Sequence, residues 1–143
     1  MTKKEVQQRV LKNGKPLDLD KFEWDEKTNT FSSNENYLVL DFCNLSYCTF
    51  KTGSYCTFET DSDCTFDTGS YCTFKTDSGC TFKTGKECVL VRRDVYEIIE
   101  LVADQKIKLN EYEIKGYKIL DEIEEMTLEQ ICEKLGKKIK IIK

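Results

Sequence analysis

The chain of 143 residues contains no histidine, one proline and one tryptophan. Without imidazole, a serine, cysteine or lysine nucleophile lacks its commonest activating base, and zinc loses one of its usual ligands. The seven glycines stand singly, so neither the GxGxxG dinucleotide fingerprint nor a phosphate-binding loop is present. These absences argue against an enzyme and predict no bound cofactor.

Long apolar runs and a large charge excess are also missing. No stretch approaches the roughly 18–20 apolar residues of a membrane span, and the N-terminus leads into no apolar signal core. The net charge is −4, which disfavours a general affinity for nucleic acid. The sequence therefore predicts a cytoplasmic protein that binds neither membranes nor nucleic acid.

An eight-residue unit repeats without insertion through the middle of the chain. It starts with Cys-Thr-Phe, continues with a charged residue, and ends in a turn that usually reads Thr-Gly-Ser or Thr-Asp-Ser. Complete units start at Cys48, Cys56, Cys64, Cys72 and Cys80, and degenerate copies start at Leu40 and Cys88. A fixed period of this kind is the signature of a solenoid, in which each unit buries its apolar face against its neighbours.

Within a unit, Cys and Phe alternate with Thr and the charged residue. A period of two places Cys and Phe on one face of a strand and the polar pair on the other face. The triplet after the strand supplies turn chemistry, because Gly tolerates a positive φ and Asp and Ser hydrogen-bond the local backbone. Each unit is therefore predicted to be one short strand and one turn.

The outward charges indicate how many units make one coil. They read Lys51, Glu59, Asp67, Lys75 and Lys83. One unit per coil would place like charges on neighbouring strands, whereas two units alternate the sign along each row. Unlike cross-strand neighbours are favoured by about 0.2–1 kcal/mol each, and the two-unit coil also separates the Gly turns from the Asp turns. We therefore predict a mainly β protein, a parallel β-solenoid of two sheets with sixteen residues per coil and about three and a half coils.

The repeats divide the chain into three predicted regions. These are an N-terminal helix and hairpin cap over 1–39, the solenoid over 40–95, and a small C-terminal α+β cap over 96–143. Such caps cover the open coil ends, which would otherwise expose apolar side chains and unpaired strand edges.

Local signals predict the elements of each cap. Thr2 and Glu5 form a capping box for a short helix that extends over Val10 and Leu11 and that Pro16 helps to end. A hairpin follows, with strands at 21–24 and 30–32. In the C-terminal cap we expect strands at 95–101, at 107–114 and at 117–120, a helix over 127–136, and a last strand over 139–142.

Six of the eight cysteines occupy the inward position of the repeat, where they act as small hydrophobic residues. Stacked strands hold side chains parallel at about 4.8 Å, whereas a disulfide needs Cβ vectors that converge. The spacing of eight and the absence of a CxxC pair argue against zinc. These thiols are predicted to be reduced and buried.

Tyrosines and acidic residues are candidates for binding at the two edges of the coil. The predicted winding stacks Tyr55 on Tyr71 at one edge, where they either anchor a partner or only cover the coil edge. The opposite edge gathers Asp61, Asp63 and Asp77, which are a candidate calcium site, or else solvated surface charge.

Arg92 and Arg93 form a clustered arginine pair just past the last full repeat. They either clamp an acidic partner through paired hydrogen bonds or form a charged coil end that blocks edge pairing.

Several stretches resemble small, uncharacterised proteins encoded by bacteriophages and prophages. The resemblance rests on the tandem Cys-Thr-Phe-x-Thr-Gly octads, on the ending Cys-Val-Leu-Val-Arg-Arg-Asp-Val at 88–95, and on the leader at 10–17 and 21–25. The octads are also loosely similar to pentapeptide-repeat proteins. The resemblance brings no catalytic residues and implies a location in the cytoplasm of a bacterial host.

Two functions are compatible with these observations. The first is a rigid, non-enzymatic protein-binding module, a phage-encoded modulator or inhibitor of a host or defence protein. The alternative is a structural or assembly component of a phage particle, a homo-oligomer in which trimerisation or repeated assembly is expected. An enzyme is the third and most distant reading.

Overall fold

Two seven-stranded sheets face each other in the structure, a computed structural model that describes residues 1–120. The elements in chain order are α1 (Lys3–Gln7), β1 (Val10–Lys12), β2 (Lys15–Pro16), a 3-10 turn (Leu19–Lys21), β3 (Glu23–Asp25), β4 (Thr30–Ser32), β5 (Leu38–Phe42), β6 (Thr49–Lys51), β7 (Thr57–Thr60), β8 (Thr65–Asp67), β9 (Thr73–Thr76), β10 (Thr81–Lys83), β11 (Cys88–Arg92), β12 (Glu97–Leu101), β13 (Ile107–Leu109) and β14 (Tyr117–Ile119). The first sheet has the order β12-β11-β9-β7-β5-β1-β2, and the second has the order β14-β13-β10-β8-β6-β4-β3. We call them sheet A and sheet B.

The parallel strands confirm the predicted solenoid with sixteen residues per coil. In sheet B, Phe50 pairs with Phe66 and Phe66 pairs with Phe82. In sheet A, Phe58 pairs with Phe74. Each coil therefore contributes one strand to each sheet, and the turns between the strands form two edges.

The core consists of stacked rows of phenylalanine between the sheets. Ring centroids within one row lie 5.2 Å apart for Phe50 and Phe66 and 4.8 Å apart for Phe66 and Phe82. Rings from opposite sheets meet edge to face, as Phe58 and Phe66 do at 5.2 Å. Burying each such side chain contributes about 1.5–3 kcal/mol, so the rows hold the two sheets together along the whole solenoid.

The glycines at the sixth position of the octads serve a different purpose from the one predicted. Gly53, Gly69 and Gly85 do not have a positive φ. Instead, a Cβ at Gly69 would lie 2.3 Å from Ser54 Oγ of the preceding coil, and Gly85 meets the equivalent serine at 2.2 Å. Glycine is therefore required because the coils approach closely there, and the positive φ belongs to the last residue of the octad.

The parallel stack starts ahead of the predicted boundary at residue 40. Strand β4 pairs with β6 in parallel, with Phe31 beside Phe50. Phe31 and Phe50 are nineteen residues apart in the sequence, against sixteen for Phe50 and Phe66. Because the first coil is longer than the others, the regular period of the sequence did not include β4. Four parallel strands in each sheet make about four coils rather than three and a half.

The N-terminal cap contains the predicted helix start but a shorter helix. Thr2 and Glu5 form the capping box, whereas Val10 and Leu11 lie in β1 and pair with β5. An Asn-Gly pair follows at 13–14 with φ values of 53° and 78°, the backbone that joins a tight hairpin. Val10 and Leu11 therefore belong to β1 of this hairpin, and Pro16 belongs to β2. The prediction that the helix extends to Leu11 is wrong.

The described part of the C-terminal cap is built from three antiparallel strands. Strand β12 pairs with β11, and β13 lies between β10 and β14. Ile107 and Leu109 are buried, as alternation predicts, but Tyr112 and Ile114 lie outside any strand. The predicted helix at 127–136 and strand at 139–142 fall outside the described residues.

A membrane-spanning helix is not found in the described part of the chain, residues 1–120. Its one α-helix, α1, has five residues.

Candidate functional site

The edges of the solenoid carry residues in the left-handed region of φ. The last residue of each octad adopts it, with φ of 59° at Tyr55, Asp63 and Tyr71. A left-handed L-residue costs roughly 1–2 kcal/mol, and Gly, Asn and Asp are the usual occupants. One edge nevertheless has tyrosine there in three successive coils.

These three tyrosines stack on one another, and we call them the tyrosine ladder: Tyr37, Tyr55 and Tyr71. Ring centroids are 4.8 Å apart between Tyr37 and Tyr55 and 4.9 Å apart between Tyr55 and Tyr71, with interplanar angles of 12° and 9°. The three residues are 58%, 45% and 42% exposed. The ladder is therefore an ordered aromatic strip that remains open to solvent.

The backbone beneath the ladder is tied from coil to coil. The N–H of Tyr55 donates to the Ser70 carbonyl at 2.9 Å, and that of Tyr71 donates to the Lys86 carbonyl at 2.9 Å. Beside them, Ser54 Oγ accepts from the Ser70 N–H at 3.0 Å. Because the backbone of each ladder tyrosine is hydrogen-bonded to the next coil, the spacing of the rings follows the spacing of the coils.

One end of the ladder carries a positive charge. Lys86 Nζ lies 5.7 Å from the ring centroid of Tyr71, within reach of a cation–π interaction. The ring faces of the ladder cover one another, so solvent meets mainly the ring edges and the hydroxyl groups. Aromatic edges are electropositive and hydroxyls donate hydrogen bonds, so the strip suits a surface rich in acceptor groups.

Sequence reasoning identified Tyr55 and Tyr71 but missed Tyr37. The stretch Asn36-Tyr37-Leu38 leads into β5, which starts at Leu38, as Ser54-Tyr55-Cys56 leads into β7. Asn36 also makes the hydrogen bond that the serines make in later coils, since its Oδ1 accepts from the Ser54 N–H at 2.8 Å. Aligning the polar–Tyr–apolar triplets, instead of the Cys-Thr-Phe cores, would have found the third rung.

At the opposite edge Asp61 and Asp77 lie together, and Arg93 joins them. Arg93 Nε is 3.4 Å from Asp77, and the same guanidinium donates to the Thr60 carbonyl. Burial raises the pKa of the Asp77 carboxyl, and Arg93 acts against that shift while Asp61 adds to it. A protein cation thus already sits beside the two carboxylates that were candidates for calcium.

Asp63, the third calcium candidate, is engaged elsewhere. Its Oδ1 lies over Gly79 of the next coil, 2.3 Å from where a Cβ would be. Within residues 1–120 there is no group of three Asp, Glu or Cys side chains arranged to hold a metal ion. The structure therefore does not assemble Asp61, Asp63 and Asp77 into one site.

Arg92 is not free to clamp an acidic partner, which was one of the two alternatives that the sequence left open for the arginine pair. It pairs with Thr76 in the sheet register, which is an inward position, and its side chain is fully buried. Asp94 accepts from Arg92 Nη2 at 2.6 Å and from Nε at 3.1 Å. Further bonds go to the carbonyls of Ile114 at 2.5 Å and Glu111 at 3.3 Å. Arg92 is thus a structural tie between the solenoid and the C-terminal cap.

The prediction of free, buried thiols is confirmed for the six repeat cysteines. All are buried and none is paired in a disulfide. Each row follows the coil period, since the Cys64 N–H approaches Cys80 Sγ at 3.4 Å and the Cys72 N–H approaches Cys88 Sγ at 3.3 Å. The hydrogen bonds within a row shift neighbouring thiols in opposite directions. Hydrogen bonds with Cys48 and Cys80 lower the pKa of the Cys64 thiol, whereas hydrogen bonding with Cys64 and burial raise the pKa of the Cys80 thiol well above its ordinary value. Because each of the six residues is at most 3% exposed, their sulfur atoms belong to the core.

Comparisons of the chain with protein families, with curated proteins and with solved structures found no match. The tyrosine ladder is therefore interpreted from its own geometry.

Proposed function

We propose that the protein is a rigid binding module whose tyrosine ladder docks on another protein. The observation that carries the proposal is the line of three exposed, stacked tyrosines, each held in a left-handed conformation. Strain of this kind is most common at sites with a function. Tyrosine is enriched at binding hot spots because it offers a large contact area with a polar tip.

Rigidity supports binding over catalysis. A surface that is already ordered loses little conformational entropy when a partner docks. The chain has no histidine, and the buried thiols are out of reach of a substrate. The partner we propose is a bacterial host or defence protein with carboxylates or carbonyls facing the ladder, and the protein modulates or inhibits it as a phage product in the host cytoplasm.

The test uses the double variant Tyr55→Asn, Tyr71→Asn. Asparagine tolerates the left-handed region, so the variant keeps the fold while it removes the rings. The matched control is Tyr47→Asn, because Tyr47 has the same φ of 59° and 71% exposure but lies on the opposite edge. Partners captured by the wild-type chain from bacterial lysate would be identified, purified and titrated against all three proteins.

We expect the double variant to weaken the purified complex at least about thirtyfold, the size of a hot-spot loss, and the control to bind as the wild type does. Equal binding by the double variant, or turnover of a substrate by the purified chain, would contradict the proposal. Measurement of the native mass tests the alternative role in a phage particle, for which a trimer or a repeated assembly is expected.

A further inference from the structure

The outer face of sheet A changes character at its C-terminal end. In the complete octads the outward residues are threonine and a charged residue, but β11 carries Val89 and Val91 at these positions. Ile98 on β12 pairs with Val91 and is 72% exposed. We call these three residues the terminal patch. It is apolar where every complete repeat is polar, so the solenoid itself does not require it.

Opposite charges lie on the two sides of the terminal patch. Lys75 on β9 pairs with Val91 from one side, and Glu100 on β12 pairs with Val89 from the other. Lys75 Nζ is 3.7 Å from Glu59, but both side chains are about half exposed, so that ion pair is weak. Glu100 has no ion pair within the part of the chain that the structure describes.

We propose that the terminal patch binds the terminal patch of a second copy of the chain. A two-fold axis parallel to β11 makes the contact isologous and places Val91 against Val91. The same rotation exchanges the β9 and β12 sides, so Lys75 of each copy lies over β12 of the other, within reach of Glu100. Two sheets packed in this way are about 10 Å apart.

The choice of a second copy rests on this self-complementarity. A patch with one sign of charge on both sides would repel its own copy, whereas here rotation brings unlike charges together on both sides. The coils of sheet A repeat in register, so both copies present the same ordered rows of side chains at the contact. On sheet B the repeat strands keep threonine and charged residues outward as far as Thr81–Lys83, so within residues 1–120 the apolar replacement of the outward repeat positions is found on sheet A.

The experiment measures the mass of the full chain by sedimentation equilibrium over micromolar to millimolar concentration. We expect a concentration-dependent dimer with twice the 16.7 kDa mass of the chain. Lys75→Glu and Glu100→Lys should each raise the dissociation constant about tenfold, because each change disrupts two symmetric contacts. The double variant should return to within about threefold of the wild type, since the charges are then exchanged.

Ile98→Lys should abolish the dimer, and Ile98→Thr, which restores a repeat-like outward residue, should weaken it while the fold is preserved. Lys51→Glu on sheet B is the matched control and should leave the dimer unchanged. A chain that is monomeric throughout, a dimer that survives Ile98→Lys, or additive losses in the charge-swap double variant would each overturn the proposal. A partner protein that binds the patch on a monomeric chain would do so as well. The outcome is independent of the tyrosine ladder, which lies on a turn edge and not on the face of sheet A.

Discussion

Replacement of Asp94 by asparagine tests how the C-terminal cap is held to the solenoid. Arg92 is fully buried and the Asp94 side chain is 3% exposed. The carboxylate accepts two hydrogen bonds from Arg92 and one from the Glu113 N–H at 3.1 Å. Asp94→Asn keeps the size of the side chain and removes its charge. The buried guanidinium then keeps only Glu97 as an acidic neighbour, which is farther away, at 3.9 Å from Nη1, and 22% exposed.

Breaking a buried ion pair from one side costs about 3–5 kcal/mol, a large part of the roughly 5–15 kcal/mol by which domains are stable. We expect the urea midpoint of Asp94→Asn to fall accordingly at pH 7. The double variant Arg92→Met, Asp94→Leu should lose less than the single variant, because no unpaired charge stays buried. Glu59→Gln, which breaks the exposed pair with Lys75, is the control and should change stability far less.

The same ion pair predicts a dependence on pH. Burial opposes ionisation of Asp94, but hydrogen bonds from Arg92 and the Glu113 N–H outweigh it and hold the pKa of the carboxyl below its ordinary value. A lowered pKa in the folded state means that the ionised group stabilises the fold above the unfolded-state pKa of about 3.9. This contribution disappears as the pH falls below about 4, and Asp94→Asn should remove it. A loss of unfolding free energy under about 1 kcal/mol in Asp94→Asn at pH 7 would refute the role assigned to the pair. So would a variant whose stability falls at acidic pH as steeply as that of the wild type.

Two further predictions concern the repeat itself. Gly69→Ala should destabilise the solenoid strongly, because the new Cβ would lie 2.3 Å from Ser54 Oγ and 2.9 Å from the Ser54 backbone nitrogen. Asp61→Ala, at the same octad position of the other edge, should lower the stability only slightly. Equal urea midpoints of the two variants would contradict the explanation by close approach of the coils. Cys64→Asp should prevent stable folding because it places an unpaired charge between the sheets, while Cys64→Ala should be tolerated better. Rapid labelling of the repeat thiols by a thiol reagent in the native state would show that the cysteine rows are not buried as described.

The coil could be predicted because charge and turn residues report on neighbours in space. Lys51 pairs with Asp67, and Asp67 pairs with Lys83, as the alternation of sign required. The first coil was missed because its spacing is irregular and its apolar residues are not cysteine, so the eight-residue period does not reach Phe31. The helix was predicted too long because periodicity alone does not weigh the Asn-Gly turn against the apolar spacing of Val10.

The candidate site was harder to predict, because burial and side-chain direction decide it. Arg92 and Arg93 are neighbours in the sequence, but strand alternation sends Arg92 between the sheets and leaves Arg93 at the edge beside Asp77. The glycines looked like positive-φ residues by residue type, whereas the left-handed residue is the tyrosine two positions later. A one-dimensional pattern does not show which of two turn residues bends the chain.

The energetics of the tyrosine ladder explain why stability alone does not account for it. Three left-handed tyrosines cost roughly 1–2 kcal/mol each, and two stacking contacts return about 0.5–1.5 kcal/mol each. The stacking therefore offsets only part of the backbone cost. Partial burial of the rings adds a hydrophobic contribution of about the size of the cost that is left, so the favourable and unfavourable contributions to the folding free energy nearly cancel. Asparagine or glycine at these positions would relieve the backbone and lose the stack, with little net change in folding free energy. What tyrosine provides beyond that balance is a fixed row of exposed rings and hydroxyls at 4.8–4.9 Å intervals, which is the property that the proposed docking of a partner would use.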